Sequence, residues 1–134
     1  IRFLEEGQII DLGNRRLKVM RMFSHSPDGL SLFSEAEGLF FGGDTFYGAD
    51  FLVTDIRLLA TDLERIQELD IRWHYSSHGP QLVTAMEQGV QLIAVKRMIA
   101  GEGKAGSTTF AGIELPVQAL DGVTVIVAKE LLLY

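Results

Sequence analysis

Apolar and polar positions alternate in short runs over the first third of the chain, recur every three residues through the middle, and return to apolar runs near the end. Residues 8–13 (QIIDLG) and 15–23 (RRLKVMRMF) are strand-capable and meet at Gly13-Asn14, a two-residue hairpin signal. In the second run Leu17, Val19 and Phe23 share one face and Lys18, Met20 and Met22 the other. Neither face is cleanly apolar, so the flanking turns carry the strand assignment. Residues 30–34 and 38–43 form another strand pair around Glu35-Ala36-Glu37. Thr61 and Glu64 have capping-box spacing and predict a helix over 61–70 that turns Leu63, Ile66 and Leu69 inward; 54–60 are ambiguous. A short strand, 71–76, is closed by Ser-His-Gly-Pro. Thr84 with Glu87 opens a second helix over 84–100, with Val90, Ile93 and Ala94 on its inner side. Residues 101–106 read as a loop, and 123–128 (VTVIVA) as the clearest strand of a tail that returns to β-structure. This order predicts an α/β (α+β) domain, with no repeat or linker to divide residues 1–134.

Composition narrows the function classes. The chain has 134 residues, enough for one domain with a sizeable core, and its net charge of −6 argues against nucleic acid or an anionic membrane as main partner. With no cysteine, disulfides, thiolate zinc sites and cysteine nucleophiles are excluded, and any metal must rest on imidazole nitrogen and carboxylate oxygen. No apolar run approaches the roughly 20 residues that span a bilayer. No signal peptide is visible, which favours the cytoplasm, and the start at Ile1 rather than Met leads us to expect a piece of a longer parent, a processed product or a trimmed chain.

Three polar residues occupy a particular kind of place. His25 follows a β-run and precedes Ser26-Pro27-Asp28-Gly29; His78 follows another and precedes Gly79-Pro80; Asp44 follows the run LFFGG. Loops at strand ends are where rigid scaffolds hold reactive side chains, although capping a loop or turn would equally explain each residue. His74, alternating with Trp73 and Tyr75, reads as a packed or surface strand residue. His74 and His78 are four apart, but Ser76-Ser77 and Gly79-Pro80 place them on strand and loop rather than on a helix. Asp28, Asp50, Asp55 and Asp62 read as turn or helix-start residues, and the carboxylates of the 61–70 helix as a solvated face.

Taken together, HSPDGLSLF, GLFFGGDTFY and HYSSHGP resemble the second half of a metallo-β-lactamase-fold hydrolase. His25-Ser26-Pro27, Gly43-Asp44-Thr45 and His78-Gly79-Pro80 match three of that superfamily's motifs in order, spacing and intervening structure, from about residue 8 to 80. The resemblance implies half of an αββα sandwich, a mixed sheet with helices on one face. It implies two divalent metal ions, zinc ahead of iron or manganese. His25 would bind the first metal and His78 the second, with Asp44 bridging both as the catalytic carboxylate. A hydroxide held between the metals would attack an ester, thioester, lactone, amide or phosphoester of a small-molecule substrate.

The chain departs from the family in three places. Phe23-Ser24 and Ser76-Ser77 stand where the family has Pro-Gly, and the principal His-x-His-x-Asp-His motif is absent. The expected partner is therefore a complementary N-terminal half or a second copy of the chain. A catalytically silent fragment, or a binding or oligomerisation module without metal, is the alternative. Lack of cysteine disfavours β-lactamases that use one at the Asp44 position. The β-rich tail differs from the helical substrate domain of glyoxalase II, and the acidic charge disfavours the RNA-processing branch.

Overall fold

The computed structural model describes residues 3–26, 28–43, 50–76, 79–81 and 85–129. Strand β1 (Ile9–Asp11) pairs antiparallel with β2 (Arg16–Arg21) in the register Ile9↔Lys18 to Asp11↔Arg16. The turn lies at Gly13-Asn14, as the dipeptide predicts. Gly13 has φ +91° and its N–H is held by the Asp11 side chain at 2.8 Å. Strands β3 (Leu30–Ser34) and β4 (Leu39–Gly43) form the second hairpin, Leu32 opposite Phe41.

After β4 the chain leaves this sheet. Strand β5 (Asp50–Val53) leads to helix α1 (Ile56–Gln67), and β6 (Trp73–Ser76) then returns to pair parallel with β4. Strand β7 (Gly79–Gln81) turns back antiparallel on β6, and α2 (Ala85–Ile99) follows. The tail builds β8 (Lys104–Phe110), β9 (Ile113–Leu120) and β10 (Val123–Val127). Among the described residues there are two sheets rather than the one expected: a six-stranded β1-β2-β3-β4-β6-β7 and a four-stranded β5-β10-β9-β8. The second exists because β5 pairs parallel with β10, Phe51 opposite Val125, across more than half the sequence. The 101–106 loop is correspondingly shorter, with β8 already under way at Lys104.

One core serves both sheets and both helices. Phe33 and Phe40 from the first sheet and Val53 and Val125 from the second join Leu59 and Leu63 of α1 and Val95 and Met98 of α2. Helix α1 begins at Ile56, five residues before the predicted Thr61. Asp55 caps it, accepting the Arg57 N–H at 2.8 Å, while the Thr61 hydroxyl bonds back to the Arg57 carbonyl inside the helix. In α2 the buried stripe is Gln88, Ala94, Val95 and Met98, so Ala94 faces inward as expected. Val90 and Ile93 lie off that stripe and are exposed: apolar residues surround this helix, and periodicity could not choose its inner side. Thr84 lies outside the described residues. On the first sheet, the face opposite the shared core is apolar. Leu32, Phe41 and Tyr75 form one cross-strand row and Leu39 and Trp73 the next. Phe41 stacks on Tyr75 at 5.6 Å, and Trp73 is half exposed.

Candidate metal centre

The strands that precede the three sequence-predicted ligands, β2, β4 and β6, end at one rim of the first sheet. Strand β2 ends at Arg21, opposite Leu30 at the start of β3. Strand β4 runs antiparallel to β3, so its end at Gly43 comes to the same rim, where a Cβ on Gly43 would sit 3.7 Å from the Leu30 carbonyl. Strand β6 is parallel to β4 and ends level with it, Ser76 opposite Gly43. His25 lies four residues past the end of β2, Asp44 directly follows Gly43, and His78 follows Ser76 by two residues. Asp44 and His78 themselves, with Pro27, Thr45 and Tyr47, lie outside the described residues. Among the described residues no three His, Cys, Asp or Glu side chains come together to hold a metal.

The end of β4 has an unusual construction. Its register against β6 shifts between Phe41 and Gly43, leaving Gly42 as the extra residue of a β-bulge. A Cβ on Gly42 would lie 2.4 Å from Nε2 of His74, so only glycine fits. Gly43 has φ +60°, the left-handed region where a side chain is strained. The two glycines that precede Asp44 thus answer to different constraints, one steric and one conformational. His74, 4% exposed, packs edge-on against Phe40 at 5.3 Å, and burial pushes its pKa down to about 4. It is a packed strand residue, as its alternation with Trp73 and Tyr75 indicates.

The His25 loop is held on several sides. Its turn closes by the Gly29 N–H bonding the Ser26 carbonyl at 3.2 Å, and Gly29 passes so near Met22 that a Cβ would lie 2.1 Å from the Met22 carbonyl oxygen. Nδ1 of His25 is 2.8 Å from the carbonyl oxygen of Leu52. A carbonyl only accepts, so Nδ1 carries a proton, and in the neutral imidazole Nε2 then keeps its lone pair, the form a metal ligand requires. The donor chemistry of His25 therefore fits a divalent metal. Ser24, fully buried, gives its carbonyl to the Thr54 N–H at 2.7 Å and to the Thr54 hydroxyl at 3.3 Å.

Sequence reasoning missed Asp62. It is neither a helix start nor part of a solvated face: it lies inside α1, 1% exposed, and its Oδ2 accepts the N–H groups of Phe23 at 3.0 Å and Ser24 at 2.9 Å. Burial raises its pKa, opposed by the N–H groups of Ser24 and Phe23 and the charge of Arg65. The signal was present, since Asp62 sits three after Leu59 and four before Ile66, on the buried stripe of a helix begun at Ile56. The other carboxylates of this helix do face solvent; Glu64 pairs with Lys96 of α2 at 2.9 Å.

Two mixed sheets and two helices sharing one core, with three strands ending at one rim, define a layered α/β fold of the kind that carries reactive groups beyond its strand ends. Solved structures share it. A metallo-β-lactamase family protein from Thermus thermophilus superposes with a TM-score of 0.62 at 18% identity, over 73% of this chain and 36% of its own. A β-lactamase domain protein from Burkholderia ambifaria gives 0.62 at 25% identity, over 74% and 33%. The chain carries the metallo-β-lactamase fold over the part it shares with these structures. In sequence it is 37% identical over 92 residues to the acyl-coenzyme A thioesterase MBLAC2 of Gallus gallus, covering 60% of this chain and 33% of that protein. The chain thus spans about a third of the length of these relatives. No protein-family model matches it. No helix among the described residues is long and apolar enough to cross a membrane.

Proposed function

We propose that this chain supplies part of the site of a dinuclear-metal hydrolase, with His25 and His78 each ligating one metal and Asp44 bridging the two. The observation that supports this most is the common rim at which β2, β4 and β6 end, each leading into one of the three residues. Two divalent metals, zinc first, would when bound bring the pKa of a water down to the neutral range and so provide a nucleophile. The residues do the positioning. His25 offers Nε2 because Leu52 holds Nδ1–H, and the Gly42 bulge with its turn at Gly43 sets the direction in which the chain enters Asp44. Acyl thioesters are the first substrates to try, since the chicken relative is named an acyl-coenzyme A thioesterase; esters, lactones, amides and phosphoesters follow.

Three ligands do not complete two metal spheres. A complementary half carrying His-x-His-x-Asp-His provides the rest and covers the apolar face of Leu39, Phe41, Trp73 and Tyr75. The chain by itself should be close to inactive toward thioesters, esters and phosphodiesters. Adding the complementary half should bring metal-dependent turnover that a chelator removes. Robust turnover by the chain alone would overturn this reading. Solution mass distinguishes a complementary half from a second copy on the same face.

A further inference from the structure

We propose that Asp62 is the positioning residue for His25, acting through the backbone that leads into it. The inference rests on the reading of His25 as a metal ligand and adds a residue to that site. A carboxylate in the middle of a helix has no function in the helix itself, and burying it is costly unless it is hydrogen-bonded. Asp62 is buried and bonded to two successive N–H groups, those of Phe23 and Ser24. One turn along α1, Arg65 donates to the Arg21 carbonyl and pairs with Glu6. From β5 and the residue after it, Thr54 takes the Ser24 carbonyl and Leu52 takes Nδ1–H of His25.

Three consecutive peptide groups, 22–23, 23–24 and 24–25, are therefore fixed from two sides. With them fixed the His25 Cα has one position, and the bond to Leu52 sets the two side-chain torsions that remain. Nε2 is consequently aimed before any metal arrives, which lowers the ordering that ligation must impose. The carboxylate also supplies, through hydrogen bonds, the stiffness that Pro-Gly would give this loop. Phe23, unlike proline, has the N–H that Asp62 accepts.

Imidazole NMR of the 15N-labelled, metal-free chain tests this, with a zinc titration as second arm. In the wild type, His25 should show one tautomer with the proton on Nδ1. Asp62→Ala should give mixed tautomers or a broadened ring signal. It should also weaken zinc binding by about tenfold or more, the usual size of a lost outer support. Asp62→Asn, whose amide oxygen can accept both N–H groups, should restore the wild-type ring signal and most of the affinity. A folded Asp62→Ala chain with unchanged tautomer and line width overturns the proposal, because a merely structural carboxylate would lower stability and leave the ring alone. If Asp62→Ala does not fold, Asp62→Asn decides: a neutral acceptor is weaker, so amide exchange at Phe23 and Ser24 should quicken by about tenfold, and unchanged exchange there is equally fatal. A wild-type His25 signal indifferent to zinc would sink the metal reading alone and leave the tautomer comparison to judge Asp62.

Discussion

Gly42→Ala should destabilise the protein by about 3 kcal/mol, the upper end of ordinary overpacking. The added Cβ would lie 2.4 Å from Nε2 of His74 and 3.1 Å from Cε1 of Phe40. Neither neighbour has room to give. His74 is 4% exposed and Phe40 fully buried, each packed on the other. Relief must come from straightening the bulge or pushing β6 away, and either moves the strand end that leads into Asp44. Urea unfolding should show a lower midpoint with an unchanged slope, whereas an unchanged midpoint would mean that the bulge is looser than described. If Asp44 bridges two metals as proposed, the same substitution should also weaken metal binding in excess of its effect on stability, since it disturbs the strand end that leads into Asp44.

The second large effect is acid sensitivity set by His74. In the unfolded chain this imidazole takes up a proton as pH falls through 6.5, whereas burial delays uptake in the folded protein until about 4. Between those values the unfolded state holds the extra proton, so stability falls as pH falls, by about 1.4 kcal/mol per unit and about 3 kcal/mol in all. Below the folded value both states are protonated and the loss is complete. Asp62 works in the opposite sense. Its folded pKa is raised by burial above 3.8, so over its window the folded state holds more protons and stability rises on acidification. The two overlap at the acid end, and the His74 slope is cleanest just below pH 6.5. Just below pH 6.5 thermal unfolding should lose its pH dependence in His74→Gln, leaving only the opposing Asp62 contribution at the acid end. A slope that survives this substitution would assign the sensitivity elsewhere.

How much of this was legible in the residues depends on how local the determining interaction is. The Gly13-Asn14 hairpin, the turn at 35–38 and the short strand before His78 were readable because glycine conformation and alternation act within a few residues. The start of α1 was misplaced because Thr61 and Glu64 imitate a cap, while the working cap, Asp55, sits one turn and a half upstream. That error hid Asp62: once the helix starts at Ile56, Leu59 and Ile66 define a stripe that contains it. Val90 and Ile93 misled because both sides of α2 are apolar. The separate four-stranded sheet had no local signal, since β5 is four residues long and its partner β10 lies near the other end of the chain. For the site, the ends of β2, β4 and β6 that precede the three motifs were readable from the order of runs and turns, while Asp44 and His78 themselves lie outside the described residues. The bonds that orient His25, from Leu52, and its backbone, from Asp62 and Thr54, are tertiary and were not.

Metal content of the protein assembled with the proposed complementary half, wild type beside Asp44→Ala, tests the central claim most directly. The wild type should carry about two divalent ions per site and Asp44→Ala should lose both, because a bridging carboxylate serves each, whereas His25→Ala or His78→Ala should lose mainly one. A wild type free of metal, or an Asp44→Ala protein that keeps both ions, would contradict the account.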